Sequence, residues 1–194
     1  MDDHCNDTWN YSWGPSRFSS SKAYNILIGH TEASPLFTWL WASSDLGKHR
    51  FFFWLLIRER LNTRNLLRRK NMHLEDYSCV LCNSWHEETS WHMFFECPFC
   101  QLCWDTIPII WNLDLEPLDM VLEARETFGS KIFREIFITA CWIIWLTRNG
   151  VVFDNEQANI HTWKRRFRDE LGHVCTKAKA AIQPQLSLWR DSYN

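Results

Sequence analysis

Apolar positions recur along most of this chain at helical rather than alternating spacing. The stretch SSSKAYNILIGH (19–30) places serines ahead of apolar residues three and four apart, predicting a short capped helix. After Pro35, FTWLWASSDLG (37–47) reads as a short helix or strand that runs into a loop ending at Gly47. In residues 48–72, Phe51, Trp54, Leu55 and Arg58 share one helical face. Asn62 or Thr63 is placed to cap a second helix, Arg64 to Lys70, which gives two helices with a tight joint. Glu87 to Glu96 reads as a helix with Cys97 at its end. Pro98 suits the first position of another, 98–112, with Trp104 and Trp111 one heptad apart. Residues 118–130 predict a helix ended by Gly129. Residues 131–150 predict a long buried helix closed by Asn149-Gly150, and Ile160 to Ile182 a final basic helix. No βαβ alternation and no repeat is present, so the expected class is mainly α.

This pattern divides into a polar flexible arm (1–17), a small helical domain (18–112) and a C-terminal helical extension (113–194). Its longest apolar run, Ile136 to Leu146, falls short of the roughly 20 residues a bilayer needs, so no membrane partner is expected. The opening residues lack a basic segment followed by an apolar one, as a secretory signal would have. That makes eight cysteines better read as metal ligands or buried thiols than as disulfides; the compartment, intracellular and either nuclear or cytoplasmic, is left open. Thirteen tryptophans and thirteen phenylalanines must be buried well or aggregate. Net charge is −2, so a case for nucleic acid has to rest on local patches.

The cysteines concentrate in CVLCNSWHEETSWHMFFECP (79–98). Cys79 and Cys82 form a CxxC, which lets two thiolates meet one ion from a single turn, and zinc takes four such ligands. His86, His92, Cys97, Cys100 and Cys103 are the candidates for the other two. His92 on a helix and Cys97 at its terminus can face a knuckle packed beside them, and this set is preferred. A four-cysteine site of Cys79, Cys82, Cys97 and Cys100 is the alternative, and His86 also competes. A thioredoxin-type CxxC needs a βαβ setting that the pattern lacks. Four protein ligands leave no position for an activated water, so a zinc ion here would be architectural.

These residues resemble the zinc-binding domain that follows the reverse transcriptase domain in plant LINE-type (non-LTR) retrotransposons. The likeness runs from about Trp13 to Phe153 through FSSSKAYNIL, LNTRNLLRR, the CxxC, ETSWHMFFEC, Trp104 and IIWLTRNGVVFDN. The resemblance implies Cys79, Cys82, His92 and Cys97 as zinc ligands, and demotes Cys100, Cys103 and His86. It also implies a module that helps hold template RNA or target DNA near a polymerase. The chain has no polymerase-type Asp pair, since Asp2-Asp3 lies in the polar arm, and it stops short of a ribonuclease H domain. An isolated tail fragment of such an element is the expectation.

Lys48 to Lys70 carries eight lysines or arginines against one acid, Glu59, a net +7 over 23 residues. Lys48, Arg50, Arg64, Arg68, Arg69 and Lys70, beside aromatics, form the candidate contact for single-stranded RNA or DNA. A second run is Lys164, Arg165, Arg166 and Arg168. The competing reading of these charges is a solvated helix face pairing with Glu59 and Glu75. The competing function is a docking module whose aromatic helices pack on a reverse transcriptase domain. Catalysis is not expected, and no small-molecule substrate is. There is no GxSxG or P-loop, and the HExxH pattern that starts at His86 fails at Ser90.

Overall fold

The computed structural model describes residues 17–29, 35–82 and 84–193. It is mainly helical, and among the described residues the only sheet-like pairing is an isolated antiparallel bridge between Ser78 and Glu87. Contacts divide the chain into residues 1–35 and 36–194. In the first unit, helix α1 (Ser20–Ile28) begins where expected, with the Ser19 hydroxyl accepting from the Lys22 amide. Apart from Arg17, the arm expected at 1–17 lies outside the described residues.

The second unit runs α2 (Pro35–Trp41), α3 (Gly47–Ile57), α4 (Arg64–Arg69), a π-helical turn (His92–Glu96), α5 (Pro98–Asp105), α6 (Pro117–Phe128), α7 (Phe133–Phe153), α8 (Ile160–Lys177) and α9 (Gln183–Ser192). Helix α7 is the axis, with α3, α6 and α8 packed on it, α5 on α8, and α9 on α8. Within this unit, residues from 113 onward share one core with residues 39–111. By length and composition alone α7 could cross a bilayer, but 61% of that apolar window is buried inside the fold. It also encloses Glu135 and Arg148.

Outside the cysteine segment, four local expectations differ from the structure. Helix α3 buries His49, Phe52 and Phe53, while Phe51 is 57% exposed and stacks on Trp54. Three consecutive phenylalanines make every phase of that helix look apolar, and the partners on α7 decide. Phe52 meets Trp142 and Phe53 meets Phe137, both edge to face. Helix α5 stops at Asp105, where the Thr106 hydroxyl donates to the Cys103 carbonyl and Pro108 follows. Trp111 folds back onto Trp104 from outside the helix, with ring centroids 5.1 Å apart.

Helix α7 does not close at Asn149-Gly150 but continues to Phe153. Gly150 serves close approach instead. Both the Asp154 and Glu156 amides donate to its carbonyl, and a Cβ there would run into the Glu156 carboxylate that Arg166 grips with two hydrogen bonds. The last basic helix ends at Lys177, where Ala178 turns extended, and a further helix, α9, starts around Pro184. Leu186 and Trp189, three apart, fix α9 to the core, while Leu188 between them stays exposed.

A buried polar seam joins α3, α7 and α8. The His49 Nε2 lies 2.7 Å from Glu170 of α8, which also takes Lys48 at 2.6 Å. His49 Nδ1 lies 3.7 Å from Asp45, which accepts from Thr139 of α7 at 3.4 Å. Burial pushes the Asp45 carboxyl up to about 6, with Glu135 adding to the rise while His49 and Arg134 oppose it. The folded chain therefore holds this proton more tightly than the unfolded chain. The group's contribution is most favourable below its unfolded value near 3.8 and is lost as pH rises through about 6. In paired chemical-denaturation curves, Asp45→Asn is expected to gain on the parent, by on the order of 3 kcal/mol, between roughly pH 4 and pH 7.

Candidate metal centre

The CxxC sits on a short hairpin. The Cys79 amide donates to the His86 carbonyl and the Glu88 amide to the Tyr77 carbonyl, so residues 77–79 and 86–88 are its two arms. Opposite it, the expected helix 87–96 is only partly helical. Its N-terminus is capped by Thr89, whose hydroxyl accepts from the His92 amide at 2.9 Å. The chain then widens into a π-helical turn in which the Cys97 amide donates to the His92 carbonyl at 2.7 Å. On a regular α-helix, residues five apart diverge by about 140°. The i→i+5 bond instead brings Cys97 back over His92, so both face the knuckle.

The ligand atoms of Cys79, Cys82, His92 and Cys97 all lie within 4.8 Å of one another. Cys79 Sγ is 3.9 Å from Cys97 Sγ, and Cys82 Sγ is 3.4 Å from His92 Nε2. Tetrahedral zinc with ordinary bond lengths would set about 3.8 Å between sulfurs and about 3.6 Å between sulfur and nitrogen. The donor set and its spacing fit that ion. His92 Nδ1, turned away, lies 3.6 Å from the Glu96 carboxylate, the kind of outer partner that orients a ligating imidazole. Cys82 also meets the Ser84 hydroxyl at 2.8 Å.

The three other candidates lie differently. His86 stacks on His92 with centroids 5.1 Å apart but is itself exposed. Cys100 and Cys103 are fully buried on α5 outside the four-atom cluster. All seven described cysteines are free thiols. Cys79 is pushed up by its hydrogen bond to Cys97 and then by burial. Cys97 is pushed up to about 12, chiefly by its hydrogen bond to Cys100. The His92 imidazole is lowered by burial and by the nearby His86. Without a cation these groups favour their neutral forms. A divalent ion reverses that preference for the thiols and takes the neutral imidazole as it stands.

Glu88 was not singled out by sequence reasoning, although it stands in the Glu-Thr pair ahead of His92. It is completely buried. Arg148 of α7, 60 residues away, grips it with Nη2 at 2.7 Å and Nε at 3.1 Å. The same carboxylate accepts from the Arg64 amide at 2.9 Å, and the Glu88 carbonyl accepts from the Asn65 amide. Glu88 therefore caps α4 and ties both the hairpin and α4 to α7. Thr63 completes the cap through the Leu66 amide.

The cationic candidates separate into two groups. On α3, Lys48 is paired to Glu170, and Arg50 lies over the Trp41 ring. On α4 and just beyond it, Arg64, Arg68, Arg69 and Lys70 gather on one short element. Arg64 bonds Asp76 and the Ser78 carbonyl, Arg68 bonds Glu87, and Lys70 bonds Asn62. Arg69 stands 3.9 Å from Glu59. Arg68 and Arg69 keep 62% of their side chains exposed, so these pairs contribute little. In the second run, Arg166 is committed to Glu156, while Arg165 and Arg168 are exposed.

Residues 18–104 match the family model described as zinc-binding in reverse transcriptase, a span that is less than half of the 194-residue chain and contains all four candidate ligands. No curated protein and no solved structure matches the chain.

Elemental analysis of the purified full-length protein is expected to find one metal ion per chain. It should be lost on Cys79→Ser or His92→Ala and retained on Cys100→Ser; retention after His92→Ala with loss after Cys100→Ser would select the four-cysteine site. Breaking the buried pair singly, by Glu88→Gln or Arg148→Met, should cost about 3–5 kcal/mol in urea unfolding, and the double variant clearly less than the sum.

Proposed function

We propose that this protein is a non-catalytic module, held together by one zinc ion, that binds single-stranded RNA or DNA through α4. We further infer descent from the reverse transcriptase polyprotein of a plant LINE-type element. The match to the zinc-binding family supports the zinc reading, and the sequence motifs LNTRNLLRR and ETSWHMFFEC support the origin. Protein atoms supply four ligands, so the ion would complete its tetrahedron without water and act as scaffold.

One observation carries the nucleic-acid reading. Glu88, on the metal-bearing hairpin, holds the first two amides of α4 through its carboxylate and carbonyl. Loading the metal thereby sets where Arg64, Arg68, Arg69 and Lys70 point. Their clustering suits phosphate contact, whereas Lys48 and Arg50 sit on a separate helix and should add less.

A second reading, docking on a polymerase domain, has its own support. Phe53, Leu56, Ile57, Trp91, Phe95 and Val121 line a mainly apolar groove of about 200 Å³. Self-association of the free module, measured by sedimentation, would favour it.

Fluorescence anisotropy with labelled single-stranded RNA and DNA tests the first reading. Affinity should fall steeply as salt rises. Arg68→Ala/Arg69→Ala/Lys70→Ala should weaken every sequence alike and flatten the salt slope by about 0.7 for each phosphate that is no longer neutralised. Chelation of the metal should abolish binding. Binding that ignores salt, or survives the triple change undiminished, would refute it.

A further inference from the structure

A cleft of about 670 Å³ opens between the segment from α4 to Asp76 and the C-terminal end of α7. Its walls are apolar: Leu67, Met72 and Leu74 on one side, Trp145, Val152 and Phe153 on the other. Several of these stay in water, Phe153 at 74% and Met72 at 50% exposure. The metal centre does not use them, and they are too many to leave solvated without a partner. Polar groups stand among them. The amides of Asn62 and Asn149 and the guanidinium groups of Arg64 and Arg148 line the same space, as do Glu75 and Asp76.

The cleft is held open by its own bonds. The Tyr77 hydroxyl accepts from the Leu74 amide and donates to the Met72 carbonyl, bracing one wall. Arg148 lies over the Trp145 ring at 5.1 Å while gripping Glu88, which fixes the floor. Arg64 is engaged by Asp76 at 3.1 Å. The acids inside disfavour a phosphate there. Lys70, which bonds the wall residue Asn62, and Arg68, which lies over the ring of Tyr77, favour one just outside.

We propose that this cleft takes one unpaired base of a single strand whose phosphates lie along α4. An apolar slot with a few amides suits a flat π-face with polar edges, and its volume is in the range of small-ligand sites. The exposed ring of Phe153 is the stacking partner, and the side-chain NH2 groups of Asn62 and Asn149, whose oxygens Lys70 and Arg148 hold, donate to the base edge. The proposal rests on the nucleic-acid reading above and adds to it a contact that does not depend on charge.

The test separates the two. Binding of a short oligouridylate is compared with that of an abasic oligomer of the same length and charge. The parent protein should prefer the base-bearing strand by about tenfold. Phe153→Ala, at a largely exposed position, should erase that preference and leave abasic binding unchanged. Arg68→Ala/Arg69→Ala should weaken both probes equally. Equal binding of both probes by the parent, or a Phe153→Ala that leaves the preference intact, overturns the base cleft while the charge-driven reading stands. Binding of neither probe overturns both.

Discussion

One buried carboxylate organises this molecule. Glu88 lies at the end of the hairpin that carries two thiols, beside the turn that carries the other two ligands, and under the first turn of α4. A lone buried carboxylate would be costly to desolvate. It is tolerable here because Arg148 and the Arg64 amide between them satisfy its oxygens. Such a pair adds little net stability against a well-packed apolar substitute, but it is directional. Only one arrangement of hairpin, α4 and α7 satisfies all of its hydrogen bonds. The metal centre and the basic helix are set in register by the same group.

The second constraint is the π-helical turn. It is less favourable than a regular turn and exists where one extra residue must be absorbed. Its consequence is to swing Cys97 back over His92. In a metal-free chain the thiols and imidazole are pressed toward neutral forms by burial and by each other. Ion binding then has to displace protons from the thiols, so metal affinity and local folding are coupled to pH through the same atoms.

Much of this was readable from the residues. The mainly helical class followed from spacing, and the caps at Ser19, Thr63, Pro98 and Gly129 were placed within a residue or so. The cluster of Cys79, Cys82, His92 and Cys97 could be anticipated as a candidate ligand set because CxxC, a helix-borne histidine and a terminal cysteine suit tetrahedral chemistry. What was not legible depends on long-range partners. The phase of α3 could not be set from Phe51-Phe52-Phe53, because the deciding rings lie on α7. Asn149-Gly150 carries the signature of a helix end, yet the glycine is needed for the approach of Glu156. Helix α9 is polar enough to look like a tail, and it is anchored by Leu186 and Trp189 with Ile182 and Tyr193 at its two ends. The π-helical turn leaves no residue signature of its own. Glu88 and Arg148 each look like ordinary polar residues until the chain places them together.

The stretch that matches the family model ends at Trp104, a ring nearly enclosed and hydrogen-bonded to the Phe94 carbonyl. Its enclosure is completed by Trp111 and Phe137, both beyond that stretch. Arg148, which neutralises the carboxylate under α4, also lies beyond it. The stretch that matches the family and the unit that can exclude water are thus different lengths of polypeptide. Cutting at the edge of the likeness would leave an indole bare and a buried anion without its counter-ion, so the later helices are part of what makes the earlier ones foldable.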